Sequence, residues 1–268
     1  MAIYFHEADW RTVRRCSDAD GVAAIPLGSL EQHGPHLPCG TDTIQIDEVM
    51  KRALERIPAE APVCVCPTVQ YSVVQWASPM ASAGVQPLTL EHKLIDICHA
   101  LTDLGFEKLL LVHGHGGLPS GRSAMWQAVQ EKRPALYVDF MPFDACAEQL
   151  EKICGKDGHG GCGETSMMLA IRPDLVDMSK AVKGPDDLWG PDCPYPSLQA
   201  AGVYAIPSVA AVREGIYGNA TIATAEIGNQ ILDLLAETTA KLIHDLAIRP
   251  VPDHVRLTGT LMPVPDEK

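Results

Sequence analysis

Basic side chains are in short supply in this chain. Lys and Arg number 21 against 34 Asp and Glu, which gives a formal net charge of −13. A protein that neutralises phosphates needs a basic stripe. No Lys/Arg cluster here exceeds a local pair or triple, which excludes nucleic acid as an expected partner. Long apolar runs are also missing. Stretches such as residues 109–112 fall far short of the roughly 20 residues that span a bilayer, so no membrane association is expected. Residues 1–11 carry acids and no apolar segment of the kind that marks export, which points to a cytoplasmic location. Repeats, low-complexity tracts and linkers are absent as well, so residues 1–268 read as one domain. At 46% hydrophobic residues that length can bury a substantial core, and disorder of the whole is excluded.

The cysteines are numerous but lack a pattern. There are nine, an odd number, and no Cys-x-x-Cys pair. They read as reduced thiols that serve mostly as small buried hydrophobes. Cys64 and Cys66 are two apart on an expected strand and should face the same way.

What is present is an alternation of apolar strands, polar turns and helices. Val22 to Leu27 reads as a buried strand, followed by a turn-rich stretch to Gly40. Ile46, Val49, Met50, Ala53 and Leu54 give helical periodicity over 42–57, ahead of Pro58. A second strand is expected over 63–69, then a helix over 89–104 with Thr89 as N-cap and Gly105 as the stop. Residues 108–112 form a continuous apolar strand, 120–131 a helix, 135–140 a strand and 226–247 a long closing helix. Strands apolar on both faces and alternating with helices indicate a mostly parallel sheet covered on both sides. In such sheets ligands bind beyond the carboxyl ends of the strands, which is where the polar turns fall.

Three of those turns carry chemistry. The first, Gly28-Ser-Leu-Glu31-Gln-His33-Gly-Pro-His36-Leu-Pro-Cys-Gly-Thr-Asp42, follows a strand directly. Glu31 and His33 project to the same side in extended backbone, and Asp42 opens the next helix. A Glu/His/Asp set suits Zn²⁺ or Mn²⁺; the competing reading has the carboxylates capping backbone donors and the histidines filling turns. The second, His113-Gly-His115-Gly-Gly117, lacks the third glycine of a dinucleotide loop, and no Gly-x-Ser-x-Gly elbow occurs anywhere. One of its histidines is expected to be a ligand and the other supporting or structural. In the third, Gly158-His159-Gly-Gly-Cys-Gly-Glu164-Thr-Ser, Glu164 lies at a helix start, where a first-turn acid is also common without any metal. Glu31, His33, Asp42, His115 and Glu164 together exceed the four ligands of a tetrahedral zinc site. They suit two divalent ions about 3.5–4 Å apart, bridged by a carboxylate and a hydroxide. His159 remains as a candidate proton shuttle.

The first string resembles the signature of the creatininase (creatinine amidohydrolase) family. His115 in Gly-His-Gly-Gly is similar to that family's Asn-Gly-His-Gly-Gly-Asn turn, and His159 through Glu164-Thr-Ser, with Pro173-Asp-Leu-Val-Asp-Met following, resembles its third motif. The resemblance spans most of the chain. It implies a three-layer α/β/α sandwich, creatininase-like, with a mostly parallel sheet and two divalent ions per subunit, Zn²⁺ first and Mn²⁺ or Fe²⁺ as alternatives. It also implies metal ligation by Glu31, His33, Asp42, His115 and Glu164 with Asp42 as the bridge, catalysis through His159, and a homo-oligomer, a hexamer in many members.

The resemblance further implies hydrolysis of a small cyclic or formyl amide at a C–N bond, by a metal-bridging hydroxide with a histidine proton shuttle. Departures from the family pattern point away from creatinine itself. His113 and Leu118 replace two Asn, and Gly117 stands where creatininase has a further glutamate. The tryptophans Trp76 and Trp189 are not in matching motifs, although with His113 they are the candidate substrate contacts. A branch of the family that opens a keto-inositol ring, 3-dehydro-scyllo-inosose hydrolase, is the alternative reading.

Overall fold

The computed structural model describes residues 2–74, 81–116, 135–184 and 213–252. The helix expected over 120–131, Trp76, Trp189 and Cys193 lie outside them. Among the described residues five strands form one parallel sheet: β1 (Ala2–Tyr4), β2 (Val22–Leu27), β3 (Val63–Val65), β4 (Lys108–His113) and β5 (Leu136–Phe140), in the order β1-β3-β2-β4-β5. Seven α-helices accompany them: α1 (Trp10–Asp18), α2 (Thr41–Leu54), α3 (Pro87–Asp103), α4 (Pro142–Ala145), α5 (Ala147–Cys154), α6 (Cys162–Ile171) and α7 (Ala225–Ile248). None is long and apolar enough to cross a membrane.

The two-residue period of the strands sorts the core into layers. Val22, Ala24, Leu110 and Val112 meet α2, α6 and α7 on one face, through Ile46, Met50, Met167, Leu232 and Leu235. Ala23, Ile25, Leu109 and Leu111 meet α1 and α3 on the other, through Val13, Cys16, Leu94 and Cys98. The result is the expected α/β/α sandwich. Cys64 and Cys66 share the second face, as their spacing requires. None of the eight described cysteines is in a disulfide.

A proline inside a central strand removes a ladder donor, yet Pro26 lies in β2. Even-numbered residues of β2 turn their main-chain groups toward β3, as Cys66 N donating to Ala24 O and Val69 N donating to Pro26 O show. The β2–β3 ladder ends at the Ala24–Val65 pair, and the next contact, Leu27 with Val69, has advanced by one residue on the β3 side. Pro26 therefore sits where the ladder is already interrupted. Beyond the interruption the chain runs on to Val73.

The strand order reverses between β2 and β4: β2 leads to β3 on one side and β4 to β5 on the other. A crevice at the carboxyl ends of such a pair is the usual ligand position in open α/β sheets. Both the 28–42 segment and His115 issue from it.

Candidate metal centre

The long polar segment after β2 is held by its own short contacts. Glu31 N donates to Cys39 O at 2.8 Å, Thr43 Oγ1 to Ser29 O at 2.9 Å, and Gly34, at φ +79°, makes the turn after His33. That turn returns the chain to the N-terminus of α2, where Asp42 occupies the first turn. The helix start at Gly161 is capped by Asp157, which accepts from Cys162 N at 2.8 Å and Gly163 N at 2.5 Å. The Glu164 carboxylate reaches back to accept from Gly160 N at 2.6 Å, and its carbonyl accepts from Gln45 Nε2 at 2.9 Å.

The structure brings together all six residues singled out for the centre. His33 Nε2 stands 3.1 Å from Asp42 Oδ1 and 3.5 Å from Glu164 Oε2. His115 Nδ1 stands 3.1 Å from Asp42 Oδ2, and its Nε2 3.6 Å from Glu31 Oε2. His159 Nδ1 stands 3.2 Å from Glu31 Oε1. Among the described residues three groups could hold an ion, with the donor atoms of each within 4.8 Å of one another: Glu31/Asp42/His115, His33/Asp42/Glu164 and Glu31/His33/His159. Asp42 joins the first two through different oxygens.

Each imidazole is pinned through one nitrogen to a main-chain carbonyl. His33 Nδ1 bonds Glu31 O at 3.0 Å, His115 Nε2 bonds Val73 O at 3.0 Å, and His159 Nε2 bonds Gln32 O at 2.6 Å. A carbonyl only accepts, so each of these nitrogens carries the hydrogen, and in the neutral ring the other one presents a lone pair. In all three rings that second nitrogen faces a carboxylate. Among the described residues, neither carboxylate oxygen of Glu31, itself fully buried, accepts a hydrogen bond. Lone pairs facing carboxylates in a buried site require positive charge between them, which a proton or a metal ion can supply. A metal-ligating histidine characteristically donates its remaining N–H to a carbonyl or carboxylate, so the residues fit a metal.

Without a metal, protons take that place. Burial opposes charge on His33 and His115, but Asp42, aided by Glu164 for the first and Glu31 for the second, outweighs it and raises them to about 10 and about 9. Burial pushes Glu31 up to about 8 and Glu164 up to about 7. Burial acts on Asp42 in the same direction, yet the two imidazoles hold it well below the usual carboxylate range. His159 differs from its neighbours. Burial, and then the charge of His33, drive it well below the ordinary imidazole value, so it is neutral.

Several partners carried no signal of their own in the sequence. Ser29 Oγ donates to Asp42 Oδ2 at 2.6 Å. Gln32, between two expected ligands, donates through Nε2 to Gly215 O at 2.7 Å and accepts Gly34 N at 2.9 Å, with Nε2 3.2 Å from His159 Nε2. His36 pairs with Thr165 Oγ1 at 2.8 Å. His113, by contrast, lies apart from the six. It is buried at the end of β4 and pairs with Asp139 of β5.

A parallel α/β/α sandwich with a buried Glu/His/Asp cluster at its carboxyl edge defines a class of metal-ligand-bearing α/β proteins. Within it, the family model Creatininase (creatinine amidohydrolase) matches residues 6–243, and the chain belongs to the creatininase family. It is 29% identical over 268 residues to the creatinine amidohydrolase of Pseudomonas putida, covering 91% of this chain and 97% of that one. It is 32% identical over 219 residues to the mycofactocin precursor peptide peptidase of Mycobacterium ulcerans (77% and 78% covered). To the 3-dehydro-scyllo-inosose hydrolase of Thermotoga maritima it is 25% identical over 270 residues (92% and 84% covered). Among solved structures, a tryptophan-to-phenylalanine mutant of creatininase superposes with a TM-score of 0.76 at 25% identity, covering 93% of this chain and 100% of that one. A creatininase mutant of Zn–Zn type superposes at 0.72, with the same identity and coverage.

Proposed function

We propose that the protein is a metal-dependent hydrolase that uses a pair of divalent ions, Zn²⁺ in the first instance, to cleave the C–N bond of a small cyclic or formyl amide. The observation that carries this reading is the shared carboxylate. Asp42 presents Oδ2 to the group it forms with Glu31 and His115, and Oδ1 to the group it forms with His33 and Glu164. On this reading Glu31, Asp42 and His115 would hold one ion and His33, Asp42 and Glu164 the other, sharing Asp42. Ions held there would supply a Lewis acid for the substrate carbonyl and lower the pKa of water toward neutrality.

The remaining work falls to this chain's own side chains. His159 is neutral, and its Nε2–H is committed to Gln32 O, so Nδ1 is the atom that takes up a proton and passes it to the departing nitrogen. Gln32 and the Gly215 carbonyl fix the turn on which this depends. Burial of Glu31, His33, Asp42 and His115 to 4% exposure or less keeps bulk water from competing for the ligands.

A metal-reconstituted sample tested on cyclic amides, formamides and keto-inositols, with mass balance on the products, checks the reading. Turnover of an amide is expected. His159→Ala should retain metal and lose turnover by about 10²–10⁴-fold, whereas Asp42→Ala should lose the metal. A His159→Ala protein with most of its activity would remove the proton-transfer role. The match to the Thermotoga maritima hydrolase over 92% of this chain favours a second reading, opening of a keto-inositol ring on the same ions. Turnover of a keto-inositol with no amide turnover would select it.

A further inference from the structure

His36 lies three residues after the proposed ligand His33 and belongs to none of the three donor groups. It is buried, and its Nδ1 has no hydrogen-bond partner among the described residues. Its Nε2 stands 2.8 Å from Thr165 Oγ1, and Thr165 Oγ1 in turn donates to Gly160 O at 3.3 Å. A carbonyl accepts and cannot donate, so the hydroxyl hydrogen goes to Gly160 and the imidazole brings the hydrogen of the first bond. The direction of the path is thereby fixed, from His36 to Thr165 to Gly160.

From Gly160 the path returns to the centre. Gly160, at φ +67°, donates its N–H to Glu164 Oε2 at 2.6 Å, and that oxygen stands 3.5 Å from His33 Nε2. The His36 ring also fills the inside of the turn after His33, since a Cβ on Gly34 would lie 3.0 Å from its Nδ1. The path thus starts at His36, passes the Glu164 carboxylate and closes on His33. Both of these ligands belong to the group His33/Asp42/Glu164. The other group draws on different supports: Val73 O accepts from His115 Nε2, and Cys39 O accepts from Glu31 N.

We propose that His36 is a positioning residue for one side of the centre. Through Thr165 and Gly160 it holds the Glu164 carboxylate opposite His33, and so sets the affinity for an ion at His33/Asp42/Glu164 but not for an ion at Glu31/Asp42/His115. A carboxylate oriented in advance loses less freedom when it binds, and partners that orient metal ligands typically contribute about 10–100-fold in affinity. The assignment to one of two ions rests on the two-ion reading above, but the hold on Gly160 and Glu164 does not.

Titration of the metal-free full chain with Mn²⁺, followed by calorimetry and electron paramagnetic resonance, tests this. The wild type is expected to bind two ions and to give the spin-coupled spectrum of a shared carboxylate. His36→Ala and Thr165→Val should bind one ion as the wild type does and the other about tenfold more weakly or worse, with an uncoupled spectrum at one equivalent. His36→Gln, whose Nε2–H can reach the Thr165 hydroxyl, and Thr165→Ser, which keeps that hydroxyl, should restore both affinities. Equal weakening of both ions, unchanged affinities in His36→Ala and Thr165→Val, or no rescue by the two conservative variants would each overturn the proposal. Should His36→Ala fail to fold, Thr165→Val against Thr165→Ser makes the same comparison. Amide exchange over residues 158–164 of the metal-free protein separates this inference from the two-ion reading. It should quicken by about tenfold in Thr165→Val, and unchanged exchange would overturn the hold on Glu164. Faster exchange with fewer than two ions in the wild type would uphold that hold and overturn the two-ion reading.

Discussion

The carbonyl oxygens of Glu31, Val73 and Gln32 each take a hydrogen from one imidazole nitrogen, and the partner nitrogens of His33, His115 and His159 are thereby turned toward carboxylates. The consequence is a site that trades protons for metal. His33 and His115, raised to about 10 and about 9, are charged at neutral pH when no metal is bound, and Glu31 and Glu164 hold protons up to about 8 and about 7. Metal affinity should therefore rise with pH across this range, and binding near neutrality should release more than one proton. Titration calorimetry in two buffers of different ionisation heat measures the number, and zero release would contradict the assignment. The same shifts set the sign for the metal-free fold. Groups whose pKa is raised on folding stabilise fully below their unfolded value, and that stabilisation disappears as pH rises through the folded one. The metal-free protein should thus melt at a lower temperature above pH 9–10, whereas the metal-loaded protein should not. The six residues of the centre were legible because each occurs in a glycine-rich turn after a strand or before a helix. Their partners were not, since Gln32, Ser29 and the Val73 carbonyl act through positions that only the folded chain creates.

At the level of elements, α6 and α7 approach closely enough that a Cβ on Gly228 would sit 1.9 Å from Ser166 O. Main chain cannot yield as a flexible side chain does, so Gly228→Ala must push the helices apart. It should cost about 1–3 kcal/mol, read as a fall in denaturant midpoint, and weaken metal binding because α6 carries Glu164. The start of α7 offers a milder test. Thr224 accepts from Ile227 N at 3.2 Å, and Thr224→Ala should cost about 1 kcal/mol without changing metal affinity. Sequence patterning located β2 to the residue, because an unbroken apolar run flanked by turns leaves no alternative. Boundaries set by proline were harder to place. Pro87, whose fixed φ suits the first helical position, starts α3 two residues before Thr89, the expected N-cap; the cap is Gln86, with no side-chain bond. Helix α2 ends at Leu54 and not at 57, consistent with Pro58 disfavouring helical backbone at the residue before it. The strand expected over 63–69 keeps its ladder only to Val65. Strand β1 has no sequence signature because three residues at an edge carry no period, and α1 has a weak one because it buries only Val13, Cys16 and Ser17.

Across the whole molecule, the proposed ligands come from the end of β2, the start of α2, the end of β4 and the start of α6. An ion shared among them ties together segments more than a hundred residues apart in sequence. Anything that binds the folded chain and not the unfolded one stabilises it by mass action, about 2.7 kcal/mol at a hundredfold excess over Kd. A chelator should lower the melting temperature and added Zn²⁺ restore it, and an unchanged melting curve would count against the centre. The prolines at the β2–β3 interruption have a bearing on this too. Pro26 has no N–H to offer, and Pro67 lies within the stretch where the register advances by one residue. Pro26 faces β3, so the β2–β3 ladder lacks a donor at the point where its register advances by one residue. The chain leaves the sheet there and delivers the Val73 carbonyl to His115 Nε2. A hydrogen that is missing from the middle of the sheet thus helps decide which way a ligand nitrogen points.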